Sequence, residues 1–165
     1  MTDRNLQFGD LVNEDLVLDH LVARDRSDAL QKMAAMLVEK GYCRETFPDA
    51  ILDRERIHPS GLPMSGHKIA IPHADAEHVT SSTILFARLK EPVEWRSMGS
   101  IDDRLSVRLV SMFALKEKTL IGDMLETLIT VYQHDEILDA LIEAENALAM
   151  FTILKRAVQD HGVRR

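Results

Sequence analysis

The sequence predicts an α/β protein: a mixed β-sheet flanked by helices in a single-domain sandwich, one domain over residues 1–165 with its core at 10–160. Three observations carry that expectation. Short apolar runs of strand length at 67–71, 83–89 and 106–115 are interleaved with longer stretches whose apolar residues recur at helical spacing. Strands alternating with helices and then a helical tail are the pattern of helices layered on a sheet. The chain has 165 residues, 45% of them hydrophobic, enough for one sizeable core and too few for two comfortable ones. No internal repeat or low-complexity linker divides it.

Residues 15–23 open the fold. Leu16, Val17, Leu18, Leu21 and Val22 alternate imperfectly and are expected to form a short buried strand. In the helix that follows, Ser27 can cap the free amides, and Ala29, Leu30, Met33, Ala34, Met36 and Leu37 line one face. Gly41 can take the left-handed conformation that ends it. A second, short helix is expected from Thr46, with Phe47, Ala50 and Ile51 as its apolar face. It carries the charged run Asp53-Arg54-Glu55-Arg56 before the chain breaks at His58-Pro59-Ser60-Gly61. The three strand-length runs come next and should pair in one sheet. Between the last two, Glu91-Pro92-Val93-Glu94-Trp95 and the polar stretch to Arg104 read as a surface excursion. From Leu120 the chain is helical, with Ile121, Met124, Leu125, Leu128 and Ile129 in register, a new start at Asp135 and a last helix from Asn146.

Charge and cysteine content narrow the functional classes. Lys and Arg total 20 against 27 Asp and Glu, a net charge of -7, so nothing favours binding nucleic acid, whose phosphates demand a basic face. The one cysteine, Cys43, has no internal disulfide partner and belongs to no metal-ligand spacing, which fits a reducing compartment; a cytoplasmic protein is expected. Residues 1–5 lack the apolar run of a leader, and no stretch reaches the roughly 18 apolar residues of a membrane span, so any membrane role would run through a partner.

Chemistry should be sought among the histidines. His58, His67, His73 and His78 fall within one short segment, and for His58 and His67 the ordinary role of an exposed loop residue is the better expectation. His73 has a distinctive setting. It follows the apolar run Ile69-Ala70-Ile71 and Pro72, whose fixed φ and missing amide end a strand, and it precedes the small Ala74. Neutral imidazole is a competent nucleophile and can carry a phosphoryl group on one nitrogen while a hydrogen bond holds the other. A strand-end histidine that merely satisfies a turn accounts for the same residues equally well.

The run Ile69-Ala70-Ile71-Pro72-His73 resembles the active-site signature of the mannitol/fructose-type enzyme IIA family of the phosphoenolpyruvate-dependent sugar phosphotransferase system. Ala50-Ile51-Leu52-Asp53-Arg54-Glu55 and the order of elements extend the resemblance over nearly the whole chain. Pro59-Ser60-Gly61-Leu62 and the stretch from Pro72 to His78, followed by Ser81-Ser82, are most similar to the galactitol branch. The resemblance implies a phosphoryl carrier: HPr donates to His73, which passes the group to a cysteine of enzyme IIB, serving the membrane permease enzyme IIC indirectly. It implies no cofactor and no metal. Arg54 matches the arginine of the family's Arg-Glu pair and is expected to hold phosphoryl oxygens. Mannitol- and fructose-type members carry a second histidine where this chain has Thr119-Leu120; His78 is the expected substitute. Ser60, Leu62 and Met64, with Pro63, are expected at the phosphoryl or the docking surface. Two other readings stand beside this one. A regulatory enzyme IIA-like module would keep the same site and act on a non-transport partner. A histidine-based metal hydrolase is remote, because no His-Glu-x-x-His pattern or cysteine pair is present.

Overall fold

In the computed structural model, which describes residues 8–161, the strands are β1 (Val12–Leu21), β2 (Gly61–Leu62), β3 (Lys68–Ala70), β4 (Thr83–Arg96) and β5 (Arg104–Ala114). Residues 1–5, read above as lacking a leader, lie outside that range, as do the ends of the expected 1–165 domain. The strands form one mixed sheet in the order β1-β4-β5-β3-β2. β1 runs parallel to β4 and β3 parallel to β5, while β4/β5 and β2/β3 are antiparallel.

Period-two alternation sends successive side chains to opposite faces of the two central strands. Ile84, Phe86, Leu109 and Phe113 pack with Met124, Leu128, Leu138, Leu141, Met150 and Leu154 from α3 (Ile121–Tyr132), α4 (Asp135–Glu143) and α5 (Ala147–His161). Leu85, Ala87, Val107, Val110 and Met112 pack on the other face with Leu30, Met33, Leu37, Phe47 and Ile51 from α1 (Arg26–Glu39) and α2 (Phe47–Ile57). Helices thus cover both faces of the sheet.

Local signals place most boundaries. Gly41 ends α1 with a φ of 86°, a value that suits glycine. Asn146 caps α5, its side-chain oxygen accepting from Ala149 N at 2.9 Å. The cap of α1 is Asp25 rather than Ser27: its carboxylate accepts from Asp28 N at 2.8 Å, two positions earlier than the hydroxyl, which already lies inside the helix. β1 starts at Val12, ahead of the expected residues 15–23.

The first part of the segment expected as a surface excursion between the last two strands stays in the sheet instead. β4 continues to Arg96, with its pairing to β5 interrupted between Arg88 and Val93, where Lys90, Glu91 and Pro92 are exposed. Proline cannot donate to a ladder, so the irregularity falls where Pro92 sits. Beyond it Val93 and Trp95 turn inward, and Trp95 is fully buried.

Arg88 is the charged side chain of the sheet interior. Its guanidinium donates to the carbonyls of Leu141 (2.9 Å), Ile142 (3.2 Å) and Ala144 (2.7 Å), and its Nε to that of Asp19 (3.0 Å). A cation placed on the unpaired carbonyls of a helix C-terminus satisfies both the hydrogen bonds and the helix dipole. It ties α4 to β1 and β4.

Candidate functional site

α2 ends at Ile57, and residues 58–60 turn back toward the sheet. That turn, His73 just beyond β3, Met98 in the β4–β5 hairpin, and Ile121 and Leu125 of α3 enclose a cleft of about 400 Å³, into which α2 contributes Arg54 and Glu55. Nine side chains from four separate stretches of chain meet there.

Pro72 ends β3 as its chemistry requires, yet the chain stays alongside β5. Phe113 N donates to the Pro72 carbonyl at 3.1 Å, and His73 forms a bridge with Phe113. The imidazole therefore stacks on the Phe113 ring, with centroids 4.5 Å apart and an angle of 18° between planes. Its Nδ1 lies 3.4 Å from the carbonyl of Ile71. A carbonyl only accepts, so this contact assigns the proton to Nδ1 and leaves the lone pair on Nε2. Burial, and then the Arg54 guanidinium, push the imidazole down from 6.5 to about 4, against the Ile71 contact and the Asp75 carboxylate, which act the other way. The ring is neutral and nucleophilic at pH 7.

Arg54 lies 3.8 Å from Asp75, with its side chain 36% exposed, so the guanidinium is held loosely at the mouth and is free to turn toward an incoming anion. Glu55, its neighbour, is 3% exposed. Its Oε1 accepts from Trp95 Nε1 (2.6 Å) and Ser60 N (2.9 Å), and its Oε2 from Ser60 Oγ (2.7 Å).

Of the expected site residues, the cleft brings together His73, Arg54 and Ser60. Ser60 is 4% exposed and commits its hydroxyl proton to Glu55. Leu62 is 8% exposed and belongs to the core under α3, with Met64 packed half-buried against the same cluster; Pro63 is the exposed member of that loop. His78 is not among the residues lining the cleft. Its Nδ1 is 2.8 Å from Thr46 Oγ1, its Nε2 is 3.6 Å from Glu77, and its carbonyl accepts from Arg44 N at 2.9 Å. His67 pairs with Asp139 at 3.0 Å, away from the cleft. Among the described residues, no three His, Cys, Asp or Glu side chains are grouped to hold a metal ion.

Sequence reasoning missed His58 and Glu55. His58 lines the cleft because it follows the last turn of α2, where its amide donates to the Arg54 carbonyl at 2.6 Å. Its place on the turn after the arginine-bearing helix was the available signal. Glu55 looks solvated within a run of alternating charge, but Phe47, Ile51 and Glu55 repeat at four-residue spacing, which puts the carboxylate on the buried stripe.

Comparison with known proteins gives a family match over most of the chain and solved structures of the same fold. Residues 10–157 match the family described as phosphoenolpyruvate-dependent sugar phosphotransferase system, EIIA 2. The galactitol-specific EIIA component of Escherichia coli is 30% identical over 118 residues, which are 72% of this chain and 78% of that one. The cryptic mannitol-specific enzyme IIA CmtB of Escherichia coli superposes with a TM-score of 0.74 at 20% identity, over 92% of this chain and 99% of the other. In the complex of enzyme IIAMTL and phosphorylated enzyme IIBMTL from Escherichia coli, the matching chain gives a TM-score of 0.71 at 21% identity, over 86% of this chain and 95% of that one.

Proposed function

The chain belongs to the phosphoenolpyruvate-dependent sugar phosphotransferase system EIIA 2 family, and from that premise we propose that His73 is its phosphoryl acceptor, charged by HPr and discharged to a cysteine of enzyme IIB. The observation that carries the reading is a neutral imidazole whose Nδ1 faces the Ile71 carbonyl while Nε2 remains free in a cleft with Arg54 at its mouth. As Nε2 attacks phosphorus, the donor's N–P bond breaks and its electron pair returns to the donor imidazole. The Nδ1 proton stays on His73, and its contact with Ile71 strengthens as the ring gains positive charge. Discharge reverses this: a cysteine thiolate takes the phosphoryl group and the ring returns to neutrality.

Such transfers pass through a loose transition state with charge on the equatorial oxygens, so alignment and a nearby cation do most of the catalysis. Arg54 supplies the cation by exchanging Asp75 for phosphoryl oxygens, to which its guanidinium can donate in pairs. His78 acts as a brace: its bonds to Thr46 and Arg44 fix the turn that follows His73. Likeness to the galactitol-specific component favours a galactitol-like sugar alcohol as cargo of the permease, and a single cysteine with no disulfide partner in the chain fits work in the cytoplasm. Among the described residues no helix is long and apolar enough to cross a membrane.

Incubation with phosphoenolpyruvate, enzyme I and HPr should add one acid-labile, base-stable phosphoryl group to the wild-type protein and none to His73→Ala. Undiminished labelling of the variant would overturn the assignment.

A further inference from the structure

A continuous set of hydrogen bonds runs from the interior of the fold to the imidazole. Glu55 accepts from Trp95 Nε1 at 2.6 Å and from Ser60 N at 2.9 Å. The Ser60 carbonyl accepts from Ile71 N at 3.0 Å, and the Ile71 carbonyl faces His73 Nδ1 at 3.4 Å. The same carboxylate sits in α2 beside Arg54, and it lines the cleft itself.

We propose that Glu55 is a positioning residue for phosphoryl transfer, fixing both the tautomer and tilt of His73 through Ser60 and Ile71 and the height of Arg54 through α2. The proposal rests on the reading of His73 as acceptor.

The links pass from residue to residue and not through single peptide groups: the Ser60 amide and the Ser60 carbonyl belong to different peptide planes. What the chain transmits is therefore position, not charge. Each link is short of alternatives. Glu55, Ser60 and Trp95 are buried, at 3%, 4% and 0% exposure, so water cannot replace a lost partner. Gly61 next to Ser60 is pressed so closely on β4 that a Cβ there would lie 2.4 Å from the Arg96 carbonyl, which removes the turn's freedom to shift. Three donors converging on one carboxylate suit the acceptor-only anion. Burial opposes that ionisation, raising the Glu55 carboxyl, and the three hydrogen bonds together with the Arg26 charge oppose the rise. A buried carboxyl group ringed by Trp95 and Ser60 fits a role in holding those groups in place. The backbone of Ser60, not its hydroxyl, is the essential link to Ile71.

The test follows the ring nitrogens of His73 by 15N NMR through a pH titration, alongside the rate of phosphoryl acceptance from HPr, in Glu55→Ala, Glu55→Gln and Ser60→Ala. In Glu55→Ala the protonated-Nδ1 tautomer should lose its dominance, the titration should move away from about 4, and acceptance should slow about ten- to hundredfold with an unchanged KM for HPr, as expected when a reacting group is misaligned. Glu55→Gln, which preserves shape and part of the bonding, should fall between, and it keeps the proposal testable if the alanine variant does not fold. Ser60→Ala should retain the wild-type tautomer. An unmoved tautomer and titration in folded Glu55→Ala or Glu55→Gln would overturn the proposal. Failure of the wild-type protein to accept phosphoryl would instead overturn the functional reading, because the tautomer readout needs no phosphoryl transfer.

Discussion

His73 is kept neutral by the same features that leave it reactive. Burial against Phe113 and the positive Arg54 disfavour the imidazolium, so the ring should titrate near 4 rather than 6.5. Between these values the unfolded chain binds the proton and the folded chain does not. Folding stability is therefore complete above pH 6.5 and declines as pH falls toward 4, by about 3 kcal/mol at most from this group. NMR titration of the His73 ring should show no inflection between pH 8 and about 5. Arg54→Ala removes one of the two depressing causes, so the midpoint should rise, and phosphoryl acceptance should slow roughly hundredfold, as for loss of one donor to a developing charge. Arg54→Lys should restore only part of the rate, since a point charge cannot donate in pairs. A wild-type inflection near 6.5, or a wild-type rate in the alanine variant, would remove Arg54 and the burial argument from the site.

The elements around the site differ in how they are held. α1 closes one face mainly through apolar contact and α2 adds the Glu55 bond to Trp95, whereas α4 is fastened by Arg88 on the carbonyls of its last turn. Arg88→Met keeps much of the side-chain volume but leaves those buried acceptors without a donor, which should cost about 3 kcal/mol in urea unfolding and speed amide exchange in α4 before other helices. An unchanged midpoint would mean that water substitutes there. Boundaries with a local chemical cause were legible at this scale: Gly41 at the end of α1, Pro72 at the end of β3, Asn146 before α5. The far half of β4 was not, because Pro92 and its charged neighbours describe the interruption of the ladder. Its resumption depends on Val93 and Trp95 finding β5 and α2.

For the whole molecule, the proposed function requires that the His73 side chain be shown to two partners in turn. Ile57 and Met98 and Ile101, at 61%, 46% and 53% exposure, stand on α2 and on the hairpin that bears a cleft residue. Pro63 is a further exposed apolar residue, in place of Leu62, which lies inside. The net charge of -7 favours a partner that presents a basic surface. Titrating isotope-labelled protein with HPr should shift amides in residues 58–78 and 97–102, and affinity should weaken as salt passes about 0.15 M, where charges are screened over roughly 8 Å. Met98→Asp should lower affinity about tenfold while leaving the thermal midpoint in place. Shifts confined to the α4–α5 side, or indifference to salt, would sink this docking surface.

The sequence by itself determined what depends on neighbours in the chain. Apolar periodicity assigned the helices and most strands, and Ile69-Ala70-Ile71-Pro72-His73 with the Arg-Glu pair identified the family and nominated His73 and Arg54. Those signals survive without a structure because they are properties of a helix face, a strand end or a contiguous motif. Tertiary structure alone decided which further groups meet the cleft. Glu55 reaches Trp95 across forty positions, and His73 stacks on Phe113 from the next strand in the sheet. It also put His58 in the cleft while fastening His78 to Thr46, though both had looked like histidines of one loop region. Such contacts depend on the order and register of strands and on which face of each helix packs inward. Closing those long loops is stabilised only by the assembled core, so no local window of sequence records them.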